Sequence, residues 1–194
     1  MALTEKGRST RRRIVEGAAA FLRENDLGEL TLDDVRAATA TSKGQLFHYF
    51  PGGKDELMLE IMGHEAARVL DDQQPYLGDL SSWQAWDDWR RVLIARYRAQ
   101  GTHCPLNSLM GKVGTIPGSA AVVTALLTRW QGQLAEGIRL MQGARLIRAE
   151  LSPERTAAAL VAGIQGGVVV MWSTGNTAHL ESVLDVLFTE MRRS

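Results

Sequence analysis

Between one turn signal and the next, the apolar residues of this chain recur at intervals of three and four, and no stretch sustains an alternation of period two. That pattern builds amphipathic helices, so the expected fold is all-α. Ile14, Ala18, Phe21 and Leu22 mark the inner side of a first helix, with Thr10 as its expected N-cap and Gly28 beyond its end. Thr31 opens a second helix, where Asp34 stands at the third position and completes a capping box; Leu32, Val35 and Ala38 form the apolar side. Ser42 and Gln45 repeat the box for a third helix, with Leu46, Phe47 and Phe50 as its expected inner face. Pro51-Gly52-Gly53 ends it. Three helices in about 40 residues, the last two separated by a short turn, make a helix-turn-helix arrangement.

A longer helix is expected from Lys54 to about Asp72 through Leu57, Ile61, Ala66 and Val69, broken by "DDQQPYLGDLSS". Ser81 is the expected cap of the next, in which Trp83, Trp86, Trp89, Leu93 and Tyr97 fall on one stripe. "GTHCPLNSLMGKVGTIPGS" is irregular, with room for a short helix after Pro105. Helices are then expected from Ser119 to Gln142, from the cap-and-proline pair Ser152-Pro153 to Trp172, and from Asn176 or Thr177 through Leu180, Val183, Leu184, Leu187 and Phe188. Residues 1–53 therefore read as a small helix-turn-helix domain and residues 54–194 as a larger helical one, with the fourth helix as connector.

The chain carries no net charge, yet "KGRSTRRR" (Lys6 to Arg13) holds five cations and no acid. Such a cluster suits a localised anionic partner, and a solvated basic arm has the same composition. Hydrophobic residues at 45% and charged residues at 23% of 194 fit a soluble globular chain. Cys104 is the sole cysteine, which excludes an intrachain disulfide and a cysteine-based zinc site and fits a reducing compartment. With no signal-peptide pattern at the N-terminus, the cytoplasm is the expected location. Ala157 to Trp172 has Gln165 as its only polar side chain but is shorter than the ~20 residues that span a bilayer. It reads as a buried helix, and no membrane partner is expected.

The third helix is rich in groups that suit nucleic acid. B-DNA's major groove admits an α-helix, whose early residues reach base edges while neighbouring groups hold phosphates. Ser42 and the free N–H groups of the helix start suit a phosphate, Lys43 supplies a cation, and Gln45 can pair with adenine. His48 and Tyr49 can reach backbone or bases, and Lys54 adds charge at the next helix start. The structural alternative is that Gln45 only completes its capping box and Tyr49 packs inward with Phe50.

Residues 8 to 60, above all "VRAATATSKGQLFHYFPGGKDEL", resemble the DNA-binding domain of TetR-family transcriptional regulators. Ser42, Lys43, Gly44, Leu46, Phe47, Tyr49, Phe50, Pro51, Lys54 and Leu57 match or nearly match the family's run. The resemblance implies that Ser42, Lys43, Gln45, His48 and Tyr49 contact double-stranded operator DNA, and that Thr10, Thr31 and Lys54 hold phosphates. Three positions depart from the pattern. Ala40 replaces a turn glycine, at a cost of about 1 kcal/mol where φ must be positive. Phe47 replaces a tyrosine, and Gly53 is one residue extra before Lys54. "HCPLNSLMGKV" and "AALVAGIQGGVVVMW" further resemble the branch typified by the LmrA and YxaF repressors.

Ala157 to Trp172 is apolar all round, so a second subunit is expected to cover its outer side. Gly163, Gly166, Gly167, Val170, Leu180, Leu184 and Leu187 are the interface candidates, and the resemblance likewise implies a homodimer formed through the last two long helices. It also implies a small-molecule effector. Trp86, Trp89, Tyr97, Met110, Trp130, Met141 and Trp172 are the apolar candidates to line its pocket, with Asn107 or Gln165 orienting it, although the tryptophan stripe is by default ordinary core. The expected function is a repressor that binds a near-palindromic operator as a dimer and is released by an apolar or aromatic effector. The alternatives are a regulator that needs no ligand and a redox sensor based on Cys104. An enzyme is not expected: His103 and Cys104 are adjacent, which rarely places two side chains on one catalytic face, and no phosphate loop or metal spacing accompanies them. No cofactor is expected.

Overall fold

Thr4, not Thr10, starts the first helix: its hydroxyl accepts from the Gly7 N–H at 3.1 Å, and its carbonyl accepts from Arg8 N–H at 2.9 Å. The computed structural model describes residues 4–24, 30–101, 111 and 113–192. Within these, α1 spans Glu5–Glu24, α2 Leu32–Thr39, α3 Lys43–Tyr49, α4 Gly53–Asp71, α5 Trp83–Gln100, α6 Ser119–Gly143, α7 Pro153–Thr174 and α8 Ala178–Arg192, with a single 3-10 turn at Tyr76–Gly78. The described residues contain no strand. The short helix expected after Pro105 lies outside them.

The chain divides into two compact units, residues 1–69 with 105–123, and residues 70–104 with 124–194. The first unit is wider than the 1–53 read from the sequence. Leu57, Met58 and Ile61 of α4 are buried in one core with Ile14, Ala18, Val35, Leu46 and Phe50, so the first half of α4 is needed to close it. Two expected inner residues face out instead. Phe47 is 42% exposed and Ala38 is exposed, because Leu46 and Phe50 already cover the inner side of α3, and Val35 that of α2. At the other side of this unit, the buried Glu65 carboxylate is held by Arg23 and Arg68.

In the second unit the tryptophan stripe folds inward except at Trp83, which is half-buried with the Arg192 guanidinium 4.6 Å from its ring centre. Trp86 and Trp89 are fully buried, meet edge-to-face at 5.7 Å, and close around Phe188 of α8. Each indole N–H is satisfied: Trp86 donates to Leu80 O at 3.1 Å and Trp89 to the buried Gln73 Oε1 at 2.9 Å. Ser82, not Ser81, caps α5 by accepting from Ala85 N–H at 3.2 Å; Ser81 donates to Asp79. Ser152 caps α7 with Pro153 in its first turn, and Gly175 at φ 72° ends it two residues later than expected.

The α7 helix is not buried all round. At 22 residues it is long and apolar enough, by those criteria, to cross a membrane, yet only 39% of its apolar window is buried. One side packs on α8, where an added Cβ at Gly167 would stand 2.7 Å from the Leu180 Cα and one at Gly163 would stand 2.7 Å from Val183 Cγ2. The opposite side, Ala159, Ala162, Gly166 and Val169, is exposed.

Candidate nucleic-acid interface

The turn between α2 and α3 is fixed by local chemistry at both ends. Asp34 N–H donates to Thr31 Oγ1 at 3.1 Å while Thr31 N–H donates to Asp34 Oδ2 at 2.9 Å, the reciprocal box that starts α2. The Thr31 hydroxyl, 2.6 Å from the same carboxylate, holds Asp34 below the usual carboxylate range, helped by the Thr31 N–H and the charge of Lys54. Ala40 ends α2 at φ 48°, ψ 46°, the left-handed region, so the departure from glycine carries its strain. Behind it the buried Thr39 hydroxyl donates to Val35 O at 2.6 Å and lies 2.8 Å from the Thr41 hydroxyl, while Arg13 donates to the Thr39 carbonyl.

Ser42 then caps α3. Its hydroxyl accepts from Gln45 N–H at 3.2 Å, and its N–H donates to Gln45 Oε1 at 3.1 Å. Both expected roles of Gln45 thus draw on one oxygen, and pairing with adenine competes with the cap. Lys43, Gly44, Gln45, Phe47 and His48 are exposed; among the described residues, no atom outside Gly44's own stretch of helix lies within 4 Å of where its Cβ would be. Tyr49 is half-buried and packs against the core, its ring edge-on to His48 at 4.9 Å. Its inward placement matches the structural alternative more closely than a base contact. Lys54 is exposed in the first turn of α4. Gly53 has φ 71° and donates to Phe50 O at 2.9 Å, which gives the extra glycine a structural use in the turn.

Thr10 lies inside α1, and its hydroxyl donates to Lys6 O at 3.0 Å. A phosphate, which can only accept, would have to displace that bond. The basic run is helical, and Arg8, Arg11 and Arg12 edge an opening of 560 Å³ with Glu60 and His64 of α4.

Arg11 was not singled out by the sequence reading, yet it ties three elements together. Its Nε donates to Tyr49 O at 3.3 Å, its other nitrogens reach Glu56 Oε1 at 3.2 Å and Glu60 Oε2 at 2.6 Å, and its guanidinium lies 4.8 Å from the centre of the Phe50 ring. The bond to Glu60 is the main reason its pKa is raised. Glu56 in turn accepts from Gly52 N–H at 2.8 Å, so the end of α3 and the following turn are held to α4. The Glu56–Glu60 spacing of four residues was the available signal for a shared cation.

The expected effector residues all belong to the second unit where they are described. Trp86, Trp89, Trp130 and Met141 are fully buried. Tyr97 edges an opening of 410 Å³ with Met171, Gly101 and Thr177, and the half-buried Trp172 donates to Gly101 O at 3.1 Å. Among the described residues, the buried donors Trp130 Nε1 and Gln165 Nε2 have no acceptor. Asn107, Met110 and Cys104 lie outside the described residues, as does nearly all of residues 103–113, the first of the two segments that resemble the LmrA and YxaF branch; the second lies in α7. Of the expected dimer residues, Gly163, Gly167, Leu180 and the half-buried Leu187 meet between α7 and α8 of one chain; Leu184 is buried, Val170 is half-buried, and Gly166 is exposed. Among the described residues no group of His, Cys, Asp and Glu side chains is placed to hold a metal ion.

Two capped helices joined by a left-handed turn, the second presenting a polar face flanked by lysines, define a helix-turn-helix protein. Residues 14–61 match the family profile of the bacterial regulatory proteins of the tetR family. It is 28% identical over 108 residues to an uncharacterized HTH-type transcriptional regulator of Mycobacterium tuberculosis, a match covering 54% of this chain and 53% of the relative. The chain thus spans about half the length of that relative. A further uncharacterized HTH-type regulator, from Lactococcus lactis, is 22% identical over 96% of this chain and 95% of its own. Among solved structures, a TetR transcriptional regulator from Chloroflexus aurantiacus superposes with a TM-score of 0.77 at 22% identity, over 96% of each chain. A TetR transcription regulator from Haloarcula marismortui reaches 0.78 at 13% identity over 94% of this chain and 96% of its own. At these identities the structures share the fold.

Proposed function

We propose that the chain is a ligand-responsive repressor of the cytoplasm that binds a near-palindromic operator as a homodimer and is released by a small apolar or aromatic effector. The observation that carries the reading is the exposed face of α3: Lys43, Gly44, Gln45 and His48 stand outward on a short helix capped at its start and clamped at its end, with Lys54 beside it. A rigid helix of this size fits a major groove, and cations around it favour a polyanion.

The homodimer is supported by the exposed stripe Ala159, Ala162, Gly166 and Val169 on α7 and by Val186 of α8, which is 67% exposed. Small residues let a second copy approach closely, and a twofold pair would present two α3 helices to successive major grooves about 34 Å apart. An effector is favoured by the unsatisfied donors Trp130 Nε1 and Gln165 Nε2, which ask for an acceptor oxygen on an otherwise apolar molecule.

Footprinting of the protein on its own upstream DNA tests the reading. Protection of two half-sites about one helical turn apart is expected, together with a dimeric mass by light scattering at micromolar protein. A monomeric mass, or protection of a single half-site, would remove the dimer. A screen for compounds that shift tryptophan fluorescence should yield at least one that also weakens operator binding. If none of the fluorescence-active compounds weakens it, the regulator acts without a ligand.

A further inference from the structure

We infer that Phe47 reads the C5-methyl group of a thymine in each operator half-site, and so is a specificity-determining residue of the recognition helix. The inference rests on the reading of α3 as a DNA-contacting helix. Phe47 is 42% exposed, although its neighbours Leu46 and Phe50 are almost completely buried. It stands three residues from Gly44 and one from His48, so it borders the outward line that these two define on α3.

A phenyl ring at that place has no group with which to bond a phosphate or a polar base edge. The one apolar feature that the major groove offers is the thymine methyl, and phenylalanine is among the side chains that suit it. Gly44 strengthens the case, because the missing side chain leaves the helix open on the side next to the ring. The nearest competing reader, Gln45, has its oxygen bonded to Ser42 N–H of its own helix. Lys43 and Lys54, both exposed, supply the positive charge that draws duplex DNA rather than an apolar protein surface to this ring.

The test uses a duplex library of random sequence to select the operator, followed by synthesis of that operator with uracil in place of each thymine in turn. Uracil pairs as thymine does and lacks only the methyl. At one thymine per half-site, the substitution should weaken binding by the wild-type chain about 4-fold, and about 15-fold when both half-sites carry it. The Phe47→Ala protein should bind the thymine and uracil operators equally, at an unchanged melting temperature. If uracil at every thymine leaves wild-type affinity unaltered, or if Phe47→Ala keeps the discrimination, the assignment to Phe47 is overturned while the regulator reading stands. If selection enriches no sequence, the regulator reading falls, and the assignment with it.

Discussion

In the first unit the decisive polar groups sit at helix ends, whereas in the second they sit between helices. Helices α2 and α3 have eight and seven residues, too few to persist on their own, and each begins with a reciprocal capping box. Helices α5 to α8 have 15 to 25 residues and depend on buried rings and close approach, with Trp86, Trp89 and Phe188 at one place and Gly167 against Leu180 at another. Local chemistry sets short helices precisely enough to leave a face free for a partner. Longer helices surrender their faces to packing, and what remains outside is the α7 stripe.

The contrast can be broken most forcefully in the second unit. Trp89→Ala should destabilise by about 3–5 kcal/mol, because a fully buried ring is lost and Gln73 Oε1 is left without its donor. Urea denaturation measures this, and a loss below about 1 kcal/mol would mean that the stripe is not the core of its unit. Gly167→Ala should cost about 1–3 kcal/mol, since the new Cβ meets Leu180 backbone atoms that cannot turn aside. The same denaturation series reads it, with Gly132→Ala, at an open position of α6, as the control that should not destabilise.

Effects at helix ends should be smaller and more local. Ala40→Gly removes the left-handed strain and should stabilise by about 1 kcal/mol, seen as a higher urea midpoint with an unchanged slope. Arg11→Lys keeps a cation near Glu60 but loses the fork to Tyr49 O and Glu56, so stability should fall by no more than about 1 kcal/mol. Operator affinity should fall more than that change explains, because the end of α3 is no longer held. Equal losses in stability and affinity would make Arg11 a purely structural residue.

The smallest effect concerns pH. Asp34 has its pKa lowered by the Thr31 hydroxyl, so its contribution is present above the ordinary carboxylate value and is lost as pH falls through the depressed one. The melting temperatures of wild type and Asp34→Ala should differ by a constant amount above about pH 5 and converge in strong acid. A difference that persists at low pH would show that the box does not depend on the charged carboxylate.

Much of the first unit was legible because its signals are local. A cap and its partner three residues on are visible in the sequence at Thr31–Asp34 and Ser42–Gln45, and both form. The start of α1 was not legible: Glu5 to Arg13 carries no apolar periodicity, and Thr4 and Thr10 look alike without the helix. Phe47 was expected on the inner face of α3 and lies outside it, since one step along the helix separates it from Leu46 and only the packed core shows which row is filled. In the second unit the tryptophan spacing gave the buried stripe, but spacing does not tell which partner a glycine approaches. Gly163 and Gly167 serve α8 of the same chain, and Val169 and Val186 are what is left outside.

The most direct measurement is the affinity of the purified protein for its footprinted operator against shuffled DNA of equal composition, across a salt series. The expected result is at least ~10³-fold preference for the operator, with binding to both falling steeply as salt rises. Equal and weak binding to both duplexes would contradict the assignment of α3 as a sequence-reading helix.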